Sequence, residues 1–119
     1  MKKQTPLAKL KKQCVSLAMA IYIGEHPNCE LCGGQAHTCH HFIHQSRSNY
    51  LRCDARNLVA ICQSCHCLMH KSKEQIFTGQ LIKQRGMDWF NEMESDSVVK
   101  IKDNISYWKQ KLLELRGEK

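Results

Sequence analysis

Cys29-Glu30-Leu31-Cys32-Gly33-Gly34 and Cys62-Gln63-Ser64-Cys65 are the two stretches whose reading decides the fold. Each is a C-x-x-C unit, and 29 residues separate Cys32 from Cys62. A tetrahedral zinc ion takes four thiolates at about 2.3 Å, and a C-x-x-C turn presents two of them from one tight knuckle. Gly33 and Gly34 supply the backbone freedom that the first knuckle needs. The spacing therefore predicts one zinc site closed by Cys29, Cys32, Cys62 and Cys65, a structural staple with no open position for water.

The residues between and just after the two pairs are unusually rich in ligand chemistry. The chain has eight cysteines and seven histidines, and all but Cys14 fall between His26 and His70. Eight cysteines also suit a small secreted disulfide protein. The paired spacing and the interleaved histidines favour metal ligation instead, which implies a reducing compartment and a cytoplasmic location. His66 and His70 are four apart, so a helix beginning near Ser64 would place both imidazoles on one face. His40 and His41 are adjacent, and a strand would turn them to opposite sides. One of them can complete a three-histidine site, leaving the other free as a base. Three protein ligands leave coordination open for water or a phosphate oxygen.

The string H-H-x(15)-N-x(8)-H-x(3)-H formed by His40, His41, Asn57, His66 and His70, set between C-x-x-C pairs, resembles the HNH nucleases, the ββα-metal or His-Me finger family. The likeness spans Cys29 to His70. Four-cysteine zinc versions are common in bacteria and their phages, and the Asn-to-His and His-to-His spacings are similar to those of the colicin DNases. The resemblance implies an α+β fold: a small ββα-metal, treble-clef-like centre stapled by zinc. It implies a metal-dependent endonuclease that hydrolyses DNA, nicking or cutting both strands. His41 would be the general base, and His40, His66 and His70 would hold the catalytic divalent metal (Mn²⁺, Ni²⁺, Mg²⁺ or Zn²⁺). Asn57 would fix the base-bearing strand by hydrogen bonds to the backbone. Many members carry Asp at the position of His40 and Asn at that of His66. The all-imidazole set here suits Zn, Ni, Mn or Fe better than the hard Mg²⁺ ion.

Outward from this centre, residues 25–71 form the zinc and ββα-metal core of a single domain spanning 1–119. Strands are expected within His37–Asn49 and Tyr50–Ile61, with a helix from Ser64. Residues 1–24 carry five lysines and no acid. Leu7, Leu10, Cys14, Leu17, Ala18 and Ile21 recur at helical spacing, Thr5 and Pro6 suit the start, and Gly24 the stop. That pattern argues against reading Met1-Lys2-Lys3 and the apolar stretch after it as a signal peptide. No run reaches the ~20 apolar residues of a membrane span. Residues 72–119 are expected to be helical: a short helix over Met87–Glu94 burying Trp89, Phe90 and Met93, then a seam of Val98, Ile101, Ile105, Trp108, Leu112 and Leu115 capped by Ser95 or Asp96. The seam is expected to cover the N-terminal helix, with a homodimer contact as the alternative to a monomer.

A formal charge of +7 suits a polyanionic partner, DNA first, with RNA also open. Arg47 and Arg52 have the guanidinium fork that matches a phosphate, although an ion pair (with Asp54, for example) explains the hairpin arginines equally well. Lys9, Lys11 and Lys12 would add sequence-independent backbone contacts. Cys14 fits the helix stripe, Cys39, Cys53 and Cys67 are expected to be at least partly buried thiols, His37 and His44 are alternates for metal or DNA contact, and His26 is a surface residue. Membership of a phage replication, recombination or packaging assembly fits the resemblance. The alternative to an enzyme is a zinc module that binds nucleic acid or protein, both metal sites being structural. His41 and Asn57 discriminate, because a closed site has no use for them.

Overall fold

Residues 4–117 are described by the computed structural model; Lys2 and Lys3, part of the basic N-terminus, lie outside the described residues. The molecule is α+β, with helices around one small antiparallel sheet. The order is α1 (Pro6–Glu25), β1 (Thr38–His41), β2 (Leu58–Ile61), α2 (Gln63–Leu68), a π turn at Met69–Lys73, α3 (Glu74–Arg85), α4 (Met87–Asp96) and α5 (Ile105–Leu115).

The sheet pairs Thr38 with Ile61, Cys39 with Ala60, His40 with Val59 and His41 with Leu58. Every residue of β2 is buried, because both of its faces are covered. Side chains alternate along a strand. Leu58 and Ala60 accordingly join Cys14, Ala18, Tyr22 and Trp108 under α1 and α5. Val59 and Ile61 face the other way, toward Cys29, Cys65 and Leu81. Both strands fall within their expected spans and are four residues long: residues 42–57 leave the ladder and fold into a looped connection, whose start is held by the buried amide of Asn57.

In α1, Thr5 Oγ1 accepts the Ala8 amide at 3.1 Å and Pro6 opens the helix. The helix runs one residue past Gly24, and the His26 amide closes it on the Tyr22 carbonyl. Its buried seam is Cys14, Ala18 and Tyr22, whereas Ile21, expected on that stripe, is exposed. The expected helix over Met87–Glu94 extends to Asp96, with Met93 fully buried and Trp89 and Phe90 partly so.

The C-terminal seam is corrected at its start. Ser95 and Asp96 belong to the last turn of α4, and Val98 is 72% exposed. Caps override the apolar period here. Ser97 Oγ donates to the Glu94 carbonyl and ends α4, while Asn104 Oδ1 accepts the Tyr107 amide at 2.9 Å and starts α5. Ile105, like Val98, is exposed, and it is Trp108, Leu112 and Leu115 that lay α5 on α1, with Trp108 buried and the Cys14 thiol donating to its carbonyl at 3.4 Å.

Two arginines tie the helices to the centre. Arg85, from the end of α3, donates to the Glu30 carboxylate (2.7 Å), the Tyr22 hydroxyl (3.0 Å) and the Leu58 carbonyl (2.9 Å). Glu30 also accepts from Tyr22 and from the Ala60 amide, so one ion pair joins α1, the first knuckle, β2 and α3. Arg56 pairs with Asp54, Glu92 and Asp96, which fastens α4 to the turn before β2.

Burial works against ionisation of Asp54, but the hydrogen bonds and charge of Arg56 outweigh it and hold the carboxyl below its ordinary value. A depressed folded-state value contributes stability above the unfolded-state value, about 3.9 for Asp, and loses it as pH falls through the folded one. The stability gap between the native chain and Asp54→Asn, followed by urea unfolding, should be full at pH 7 and close progressively below about pH 4. A gap that stays constant down to pH 3 would show that the pair does not couple to folding.

Candidate metal centre and histidine pocket

Before β1, the chain turns back on itself through an isolated bridge between Asn28 and Gln35. Inside that turn the Cys29 amide bonds the Gly34 carbonyl at 2.6 Å and the Gly33 amide bonds the Cys29 carbonyl at 2.9 Å. Gly33 has φ 83°, a conformation open to glycine at little cost. After β2, Cys62 caps α2 and its sulfur accepts the Cys65 amide at 3.4 Å. The two knuckles converge. Cys32 Sγ and Cys62 Sγ are 3.5 Å apart, and all four sulfurs lie within 4.8 Å of one another.

Sulfurs at the corners of a tetrahedron of radius ~2.3 Å are about 3.8 Å apart, so the cluster has the dimensions of a metal site. Its electrostatics point the same way. Burial opposes ionisation of Cys29, yet backbone amides at Cys62, Cys32 and Leu31 outweigh it and bring the thiol to about 7. Cys65 is pushed up, by burial first and then by the other three sulfurs. Four thiolates in this space require a cation to coexist. The cysteines are positioned to hold a metal ion.

The histidines gather on the other side of α2. Cys39, His40, His41, His44, Gln45, His66 and His70 line one pocket of about 200 Å³. His66 and His70 project from α2 and the π turn after it, with their Nε2 atoms 2.9 Å apart. His40 comes from the partly exposed face of β1, its ring 6.3 Å from that of His70 and 5.8 Å from that of His44, centre to centre. The set is looser than the sulfur cluster. Among the described residues, only the four cysteines bring three or more ligand atoms within 4.8 Å. Burial, with the neighbouring imidazoles adding to it, lowers His40 to about 4 and keeps it neutral.

His41 lies on the opposite, buried face of β1 yet still borders the pocket. Its Nε2 is 2.8 Å from the Arg52 carbonyl. A carbonyl only accepts, so Nε2 carries the proton and Nδ1 keeps a lone pair. Burial moves this imidazole toward its neutral state as well. Asn57 is fully buried: Oδ1 accepts the Ile43 amide at 2.7 Å, and Nδ2 donates to the carbonyls of Ile43 (2.9 Å) and Leu51 (3.3 Å). It thereby clamps the chain two residues after His41.

The remaining ligand-type residues are distributed around this centre. Cys14, Cys39 and Cys53 are buried, but Cys67 is exposed, contrary to expectation, because its position on α2 turns outward between Cys65 and Met69, which face the core. His37 is exposed, and His26 is an exposed ring stacked on Tyr22. The pairing with Asp54 belongs to Arg56, while Arg47 pairs with Glu94 and Lys11 with Asp103. Lys9 and Lys12 are exposed on α1. Glu74, 3.4 Å from His44, and Gln45 were not singled out by spacing; Glu74 follows His70 by four residues, a helical interval that signals it. No helix among the described residues is long and apolar enough to cross a membrane.

Compared with known proteins, the chain matches no family model, no curated protein and no solved structure.

Two expectations follow from this geometry. The purified chain should carry one tightly held metal ion, released as the four clustered thiols react with a mercurial; Cys62→Ser should lose it and Cys67→Ser retain it. Retention by Cys62→Ser would remove the cluster as the binding site. Asn57→Ala should lower stability by about 2–4 kcal/mol in urea unfolding, since it strands a buried amide and two carbonyls that each cost roughly 1–3 kcal/mol, part of which relaxation recovers.

Proposed function

We propose that this chain is a metal-dependent endonuclease of the HNH type that hydrolyses DNA phosphodiester bonds in the histidine pocket. The observation that carries the reading is the pairing of His41, a buried imidazole set in one tautomer by a backbone carbonyl, with His40, His66 and His70 around the same hollow. A structural zinc in the cysteine cluster fits an all-sulfur donor set with no open position.

The histidines suit a second ion. Two nitrogens bound to one tetrahedral ion at ~2.0–2.1 Å lie about 3.3 Å apart, close to the 2.9 Å between His66 and His70, and His40 faces them across the pocket. A divalent ion bound there would supply Lewis-acid stabilisation of the charge that develops on the phosphate.

The chain's own part is proton handling and orientation. Nδ1 of His41 takes the proton from an attacking water, and Nε2–H remains bound to the Arg52 carbonyl, so the ring cannot swing away as it charges. Desolvation keeps the imidazole neutral, hence competent as a base, at pH 7. Asn57 holds the strand end that aims it. The water oxygen bonds phosphorus as the bond to the 3′ oxygen breaks, and that oxygen takes a proton from a solvent water, leaving a 5′ phosphate and a 3′ hydroxyl.

The test is cleavage of supercoiled plasmid by zinc-loaded protein with Mn²⁺, Ni²⁺, Mg²⁺ or Zn²⁺ added separately. Metal-dependent nicking or linearisation is expected, reduced about 10²–10⁴-fold in a folded His41→Ala variant. No cutting with any ion, or equal cutting by the variant, would replace the enzyme with a zinc-binding interaction module.

A further inference from the structure

Neither Arg47 nor Arg52 lines the histidine pocket, although both carry the phosphate-matching fork that the sequence offers to a scissile phosphate. They line a different hollow of about 260 Å³, where the 45–52 loop meets α1 and the strap between α4 and α5. Lys11 and Lys100 complete its cations, and no carboxylate lines it. Ser46, Ser48 and Ser97 add hydroxyls to its wall.

The four cations are not equally free. Lys11 is drawn to Asp103 and Arg47 to Glu94. Arg52, partly buried, spends its donors on neutral groups only: Asn49 Oδ1 at 3.1 Å, the Gln45 carbonyl at 3.0 Å and Gln45 Oε1 at 3.4 Å. Lys100 is exposed and makes no ion pair among the described residues. A partly buried guanidinium oriented by neutral acceptors, beside an unpaired ammonium, leaves net positive charge in a polar hollow. That is the complement of a phosphodiester.

Its position says which phosphate. Gln45 lines both this hollow and the histidine pocket, and the Arg52 carbonyl is the acceptor for His41. The two sites are thus one side chain apart. We infer that the hollow formed by Arg52, Lys100, Lys11 and Arg47 binds a second phosphate of the nucleic-acid strand whose scissile phosphate occupies the histidine pocket. This rests on the nuclease reading for the strand's placement. It assigns the hairpin arginines to holding the strand beside the cut, with Lys100 as a contact that spacing alone does not reveal.

The test is binding, which needs no cleavage. A fluorescently labelled 20-base-pair duplex is titrated with zinc-loaded protein, without added catalytic metal, over a range of salt concentrations. Each neutralised phosphate steepens the dependence of log K on log salt by about one. Lys100→Gln is expected to make that slope shallower by about one, while Lys109→Gln, an exposed α5 lysine outside the hollow, leaves it unchanged; melting curves confirm that both variants fold. An unchanged slope in Lys100→Gln, or failure of the native chain to bind the duplex, overturns the inference. A chain that binds through Lys100 but never cuts would retain this site and lose the nuclease assignment. One that cuts with an unchanged slope would do the reverse.

Discussion

The four sulfurs converge from two knuckles that flank the sheet in sequence, and most of the centre's geometry follows from that closure. Two strands of four residues are too short to hold a helix in place by themselves. Cys29 and Cys32 precede β1, while Cys62 and Cys65 open α2 directly after β2. A metal ion held among them would tie the turn before the hairpin to the helix after it. The start of α2 is then set relative to β1, and with it the distance from His66 and His70 to His40. Loosening the cluster would free the helical segment carrying His66 and His70 from the strand carrying His40.

Inside the hairpin the same task falls to hydrogen bonds. The 42–57 connection departs from the ladder, so its backbone groups need partners other than a neighbouring strand. Asn57 provides them with one amide, which accepts from and donates to Ile43 and also reaches Leu51. The Arg52 carbonyl, displayed by that connection, meets His41. A buried imidazole and a buried amide are costly in isolation. Here each satisfies the other segment's backbone, and no buried side-chain nitrogen or oxygen among the described residues lacks a partner.

Charge is apportioned unevenly. Glu30, Glu92, Glu94, Asp96 and Asp103 engage arginine or lysine in bonds that join elements, and Asp54 holds Arg56 within its own turn, so much of the chain's acid is committed to architecture. Part of the excess cation is left on α1, the 45–52 loop and the strap before α5. Of the cations without an ion pair among the described residues, Arg52 and Lys100 lie in the hollow beside the histidine pocket, while others, such as Lys83 and Lys109, lie on α3 and α5.

Some of this was legible in the residues alone. Paired C-x-x-C spacing signalled the cluster because two local knuckles need only one closure, and Thr5-Pro6 marked the start of α1 because a cap is a local interaction. The i,i+4 spacing of His66 and His70 brought their rings together for the same reason, helical geometry being short-range. The strand lengths were not legible, since the buried amide of Asn57 competes with the ladder from fourteen residues away. The start of α5 was misread because apolar periodicity continued through Val98 and Ile101 while side-chain caps set the boundary at Asn104. By itself, then, the sequence determined the ligand types, their local pairings and the helical faces. Only the tertiary structure decided the tautomer of His41, the partners of each arginine and the hollow shared by Arg52 and Lys100, because those depend on which distant carbonyls, carboxylates and loops meet once the chain is closed.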